Sequence, residues 1–407
     1  MTDARTSSPR IQRPVLPGLV VERDAGWPRL RGRRLGILAN HTATDERGVP
    51  LWGLAREAGL DVGVLLGAEH GLWGVEQDMV PVSGGRDPLT GIPVVSLYGG
   101  DAGSLTPDPG ILADLDAVIF DIQDVGSRYY TYQATLHRLL RAVSGRGPAV
   151  VVLDRPNPIG GRTVEGARLQ PGFESFVGQA PMLNRHGMTV GELARWLVAT
   201  ERLDVALEIV PCRGWARGTL WEEAWAVPWI PPSPNMPTPA TARVYPGACF
   251  LEGTGLSEAR GTTTPFELLG APWLDAPGAL CEAMGRAWEG AVFRPAWFRP
   301  GFQKHAGGVC GGICVHVEAP DRFRPVRTYL DLIRRIRHRW PVDFSWRAEA
   351  YEFVQDIPAI DLLAGGTWAR DWVEADGDPE ELNALLGPQE DEWLEARRPF
   401  LLYGDQA

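Results

Sequence analysis

The sequence predicts an α/β fold: an open parallel sheet with crossover helices to about residue 238, packed against a smaller α+β domain. Three observations carry this. Five short apolar runs, residues 35–39, 62–66, 94–97, 117–120 and 149–153, punctuate the first 160 residues. Helix-length segments separate them, which is the rhythm of parallel strands joined by crossovers. Residues 227–239, VPWIPPSPNMPTP, then hold prolines too closely spaced for any regular element.

Taken in order, residues up to about 14 read as a disordered tail. They contain no apolar segment of the signal-peptide kind, so a cytoplasmic chain is expected. Residues 50–59 read as the helix between the first two strands. Residues 128–143 read as a helix with a buried stripe at Leu136, Leu139, Leu140 and Val143. Thr189 and Glu192 form a capping box that opens a helix running to about residue 200. Residues 205–210 follow as a sixth strand. The expected division is a first domain over 15–238 and a second over 239–407. The second domain mixes a strand at 312–317 with helices at 329–339 and 379–386. Its last stretch, LEARRPFLLY, is expected to close back as helix or strand.

A chain of 407 residues buries enough surface for a core without disulfides. The net charge of −11 argues against nucleic acid and against anionic membranes, both of which need clustered Lys and Arg. No apolar run reaches the length of a membrane span. Five cysteines in so long a chain make no disulfide framework. Cys310 and Cys314 fall on one face of a predicted strand and read as small buried apolar residues.

The apolar runs matter for function because each ends in polar residues. Asn40 and His41 follow the first run and Glu69 and His70 the second. The fourth leads into DIQDVGSRYYTY, with Asp121, Gln123, Asp124, Arg128, Tyr129 and Tyr132. The fifth leads into Asp154, Arg155 and Asn157, with Glu165 beyond. Open sheets bind ligands outside the carboxyl ends of their strands, so these residues are expected to line one cleft. A Glu beside apolar walls such as Leu72 and Trp73 can hold a proton near neutrality. Each polar group also has a plainer reading, as a helix cap, a loop brace or an ion pair. His186 precedes the capping box, Asn235 lies in the proline-rich run, and Glu252 and Arg260 lie in FLEGTGLSEARGTTTPFE, a stretch of the second domain that can bring polar groups across a cleft. There is no GxGxxG after the first strand, no P-loop, no GxSxG and no HExxH. No cofactor or metal is therefore expected. The 16 Trp residues suit sugar faces as well as ordinary cores.

Seven ordered motifs carry a resemblance: GAEHGLWG, DIQDVGSRYYTY, VVVLDRPNPIGG with VEG, RHGMTVGELA, WIPPSPNMPT, FLEGTGLSEARGTTTPFELLGAPW and GFQKHAGGVCGG. Together they resemble the NamZ-like exo-β-N-acetylmuramidases, a family of peptidoglycan glycoside hydrolases, over nearly the whole chain. The resemblance implies a Rossmann-like parallel sheet domain followed by a smaller α+β domain, with the active site between them. It implies release of N-acetylmuramic acid (MurNAc) from the non-reducing end of MurNAc-GlcNAc fragments. Glycoside hydrolysis needs a protonated acid and a second stabilising or attacking group. Glu69 is the expected general acid. Glu165 ranks first for the second role, ahead of Asp121 and Asp124. Arg128, Arg155 and Arg260 are available for the lactyl carboxylate of MurNAc. The alternatives are a sugar-binding module without catalysis and a metal-dependent amidohydrolase.

Overall fold

A computed structural model describes residues 14–145 and 147–405. The expected tail lies almost wholly outside the described residues. Seven strands form the larger sheet: β1 (Arg34–Ala39), β2 (Asp61–Gly67), β3 (Gly85–Arg86), β4 (Pro93–Ser96), β5 (Ala117–Asp121), β6 (Ala149–Leu153) and β7 (Leu207–Val210). Their order is β3-β4-β2-β1-β5-β6-β7, and every pair is parallel except β3–β4. All five apolar runs are strands of this sheet, because both faces are covered and uninterrupted apolar residues are what such strands require. β1 pairs with β2 on one side and β5 on the other, and Ala39 stands in register with both Gly67 and Asp121. The loops leaving these three strands therefore open together where the strand order reverses.

Crossover helices Leu51–Glu57, Tyr132–Val143 and Val190–Thr200 cover the sheet. Thr189 caps the last of them with the full capping box. The helix expected from residue 128 begins only at Tyr132. The backbone before it is already engaged: Ser127 bridges Arg185, and Arg128 N donates to Asn184 O at 2.8 Å.

The second part holds β8 (Leu268–Ala271), β9 (Ala291–Phe298) and β10 (Cys310–Val317), an antiparallel sheet of order β8-β10-β9. The glycines of GGVCGG set this sheet's spacing. A Cβ on Gly312 would lie 1.9 Å from Leu269 O. Likewise, a Cβ on Gly247 would lie 1.9 Å from Pro325 O, so glycine lets helix Pro239–Ala248 cross Pro325–Arg339 closely. The helix expected at 329–339 starts earlier, at Pro325, and the one expected at 379–386 runs on to Arg397. Among the described residues, the chain end returns without forming a strand. Leu402 N donates to Glu192 Oε1 at 2.8 Å, and Tyr403 Oη donates to Asp154 Oδ2 at 2.5 Å. One apolar cluster runs through both parts, from Leu139 and Val150 to Leu330 and Ile333. All five cysteines are free and buried. Among the described residues, no helix is long and apolar enough to cross a membrane.

Candidate active site

A narrow pocket of about 40 Å³ lies between the two parts. β2 ends at Gly67, and the next turn aims Glu69 into it. Thr131, at the start of the helix that follows β5, donates its hydroxyl to Glu69 Oε2. The Met79 amide approaches Glu69 Oε1 at 3.5 Å.

Opposite stands Glu352. Tyr351 and Val354 exchange both backbone hydrogen bonds at 2.9 Å, which makes residues 352 and 353 a two-residue turn. Both central residues have positive φ, 46° for Glu352 and 67° for Phe353. That is the primed turn usually given to Asn-Gly, and bulky residues there store strain. The strained turn sends Glu352 into the pocket and sets the Phe353 ring 5.6 Å from that of Tyr98. Tyr98 Oη donates to Glu352 Oε2 at 3.1 Å and also faces the Glu69 carboxylate. Burial first, and then the charge of Glu69, push the Glu352 carboxyl well above its ordinary range. The pocket thus contains a carboxyl pushed up by burial beside one that faces hydrogen-bond donors.

The walls are aromatic. Tyr130 meets Tyr132 edge-on at 5.1 Å and Tyr245 at 5.6 Å, and Tyr245 meets Phe266 at 5.0 Å. At the rim Arg260 donates to Glu258 (2.7 Å), Glu252 (2.9 Å) and Asp78 (2.7 Å). Burial pushes Glu258 up, but Lys304 and Arg260 overcome it and hold the acid at about 2. Tyr351 Oη donates to the other oxygen of Glu252 at 2.7 Å.

Seven residues singled out from sequence line this pocket: Glu69, His70, Tyr129, Tyr132, Asn235, Glu252 and Arg260. The single cleft expected at the strand ends forms only around Glu69 and His70. The remaining candidates turn inward to hold backbone or one another. Asn40 takes the amide and hydroxyl of Thr42 and donates to Pro232 O at 3.3 Å. His41 meets Pro231 O at 2.7 Å. Asp121 is fully buried against Arg155. Gln123 donates to Asp124 O and Pro156 O, and Asp124 accepts from Gly126 N. Asp154 accepts from Gly191 N and Thr189 Oγ1 at the start of a helix, and burial raises it to about 7. Asn157 braces Met188 O, and His186 accepts from Met188 N.

Two corrections bear on chemistry. Glu165 is fully buried outside the pocket, where it accepts from Val326 N at 3.1 Å and Arg327 N at 2.9 Å. It anchors the first turn of helix Pro325–Arg339 and cannot reach a sugar in the cleft. Arg128 donates to the carbonyls of Ala167, Met182 and Leu363 at 2.8–2.9 Å, and Arg155 and Arg260 are consumed by carboxylates. No arginine considered from sequence is thus free for a substrate carboxylate. Sequence reasoning missed Glu352, Thr131 and Asp78 as pocket residues. For Glu352 the only local signal is its place between Tyr351 and Phe353.

The chain matches the family described as exo-β-N-acetylmuramidase NamZ, its N-terminal part over residues 35–240 and its C-terminal part over residues 243–403. It is 36% identical over 377 residues to the peptidoglycan β-N-acetylmuramidase NamZ of Bacillus subtilis (strain 168), which covers 92% of this chain and 88% of that one. A crystal structure of a DUF1343 family protein from Bacteroides fragilis NCTC 9343 superposes with a TM-score of 0.86 at 28% identity, covering 97% of this chain and 100% of that chain. A second DUF1343 family protein from the same organism gives 0.74 at 27% identity, covering 96% and 99%.

Proposed function

Because this chain belongs to the NamZ family of exo-β-N-acetylmuramidases and is a glycoside hydrolase, we propose that it removes MurNAc from the non-reducing end of peptidoglycan fragments such as MurNAc-GlcNAc. The observation that carries this is the pair Glu69 and Glu352, which meet at the Tyr98 hydroxyl inside an aromatic-walled pocket. We keep residues 238 and 239 as the working boundary between the domains that enclose it.

Two carboxyls with opposed environments divide the work of acid and base. Glu352, whose carboxyl burial and the charge of Glu69 push up, is the member that donates the proton to the leaving oxygen. Glu69, facing the Thr131 hydroxyl and the Met79 amide, is the member that stabilises or attacks the anomeric carbon. This moves the proton from Glu69, where strand-end position alone would put it, to its neighbour. The aromatic rings supply apolar faces for the pyranose. A volume of about 40 Å³ is far below the roughly 300–1,000 Å³ of ligand pockets. Substrate entry therefore widens the cleft, by movement of the Glu352 turn or of the loop containing Asp78 and Met79.

The test is hydrolysis of MurNAc-GlcNAc beside that of a nitrophenyl β-MurNAc glycoside. Glu352→Gln should lose about 10²–10⁴-fold on the disaccharide and much less on the nitrophenyl substrate, whose leaving oxygen hardly needs a proton. Glu69→Gln should fail on both. The reverse pattern would return the acid role to Glu69. A wild-type protein inert on both substrates would overturn the function.

A further inference from the structure

Beside the catalytic pocket, and sharing Asp78 with it, lies a wider recess of about 650 Å³. Its lining includes Met79, Gln303, Lys304, Trp346 and Arg347. Two of these groups are cationic and they are differently placed. Lys304 Nζ is saturated: it contacts Glu258 Oε2 at 2.7 Å and donates to Leu251 O at 2.8 Å and Thr254 O at 3.2 Å. Arg347 has no carboxylate within 4.0 Å among the described residues. Its Nη2 donates only to Ala350 O at 3.2 Å and touches Met79 Sδ at 3.8 Å, and its buried Nε has no partner. The guanidinium is held in place by stacking, with Cζ 5.1 Å from the centre of the Tyr351 ring.

The position is as informative as the vacancy. Tyr351 is a wall of the catalytic pocket, and the residue after it is Glu352. Met79, under Arg347, is the residue whose amide faces Glu69. The cation therefore stacks on the residue before Glu352 and touches the residue whose amide faces Glu69. The acids of the recess do not neutralise it: Asp78 is taken by Arg260 at 2.7 Å and Gln303 at 3.0 Å, and Glu349 is exposed and makes no ion pair among the described residues.

Resting on the function proposed above, we infer that Arg347 is the specificity residue that binds the lactyl carboxylate of MurNAc. The sugar ring occupies the widened aromatic pocket, and its 3-O-lactyl arm lies in the recess. A planar guanidinium takes a carboxylate in a two-pronged hydrogen bond, and Nη1, which makes no hydrogen bond among the described residues, supplies one prong. The site selects MurNAc whose lactyl group is free and disfavours one whose lactyl carboxyl is esterified or amidated.

The experiment compares kcat/KM on nitrophenyl β-MurNAc, its lactyl methyl ester and nitrophenyl β-GlcNAc, for the wild type, Arg347→Gln and Arg347→Lys. A charge-assisted hydrogen bond of this kind is worth about 10- to 200-fold. Arg347→Gln should lose that factor on the acid and much less on the ester and the GlcNAc glycoside, which lack the carboxylate. Arg347→Lys should recover part of the loss, since the charge remains and the fork does not. An unshifted thermal unfolding midpoint reports a folded protein. Equal losses on all three substrates, or an undiminished preference for the acid, would overturn the inference and leave the hydrolase reading standing. A wild type inactive on every glycoside would overturn both.

Discussion

Tyr98 is the side chain through which the proton of Glu352 can be tuned. Its hydroxyl donates to Glu352 Oε2, a bond that favours the charged carboxylate and so opposes the upward push of burial and of Glu69. In Tyr98→Phe the Glu352 carboxyl should rise further, and the alkaline limb of the kcat/KM profile should move to higher pH. An unmoved limb would separate that limb from Glu352. Asp154 offers a stability test of the same physics. Burial, opposed by hydrogen bonds from Tyr403, Gly191 and Thr189, leaves it at about 7 instead of the ordinary 3.8. A raised acid binds its proton more tightly folded than unfolded. Its contribution is therefore full below about pH 4 and lost as pH climbs through 7. The difference in unfolding free energy between wild type and Asp154→Asn should change by about 4 kcal/mol over that window, read by urea titration at several pH values. Residue roles were only partly legible in the sequence, and the reason is chemical. Asp154, Asn157 and Gln123 bind backbone with the same oxygens and amides that a ligand site would use. Residue type alone does not tell an inward-facing brace from an outward-facing hand.

At the scale of elements, Glu165 acts as a peg. It enters from the loop after β6 and closes the first turn of helix Pro325–Arg339, with Arg327 pairing to it at 3.4 Å. Removing one partner of a buried pair costs about 3–5 kcal/mol. Arg327 keeps Glu390 at 2.6 Å, so Glu165→Ala should lie near the lower end. Urea unfolding should show the loss, and turnover per folded molecule should stay unchanged; a catalytic Glu165 would give the opposite. Strands were easy to read because a doubly covered sheet writes them as unbroken apolar runs. β3 was not legible, since Gly85 and Arg86 are exposed and too few to show a period. The early start expected for helix Tyr132–Val143 failed because tertiary bonds from Asn184 and Arg185 claimed the preceding backbone. The Glu352 turn belongs to the same class: its place opposite Glu69 is set by packing across the chain, with no local periodicity to announce it.

The whole molecule is tied together through buried charge. Arg128 reaches from the loop after β5 to Leu363 O in the second part, and burial lowers its guanidinium to about 10. The five buried thiols carry a different consequence for the intact protein. Burial raises every one of them, Cys281 to about 11 and Cys212 and Cys249 well beyond their ordinary range. A thiol that is neither ionised nor accessible does not attack a disulfide reagent. The native molecule should therefore be silent toward such a reagent, and full denaturant should release five equivalents. Slow labelling in native buffer then measures opening of the fold. Cys212 follows β7 in the large sheet, whereas Cys249, Cys281, Cys310 and Cys314 lie in the second part. Mass spectrometry of the labelled peptides would time the two parts separately. If substrate entry spreads the parts while each stays folded, MurNAc should leave all five labelling rates unchanged. Faster labelling of the four later thiols alone would mean that the second part loosens internally to admit the sugar.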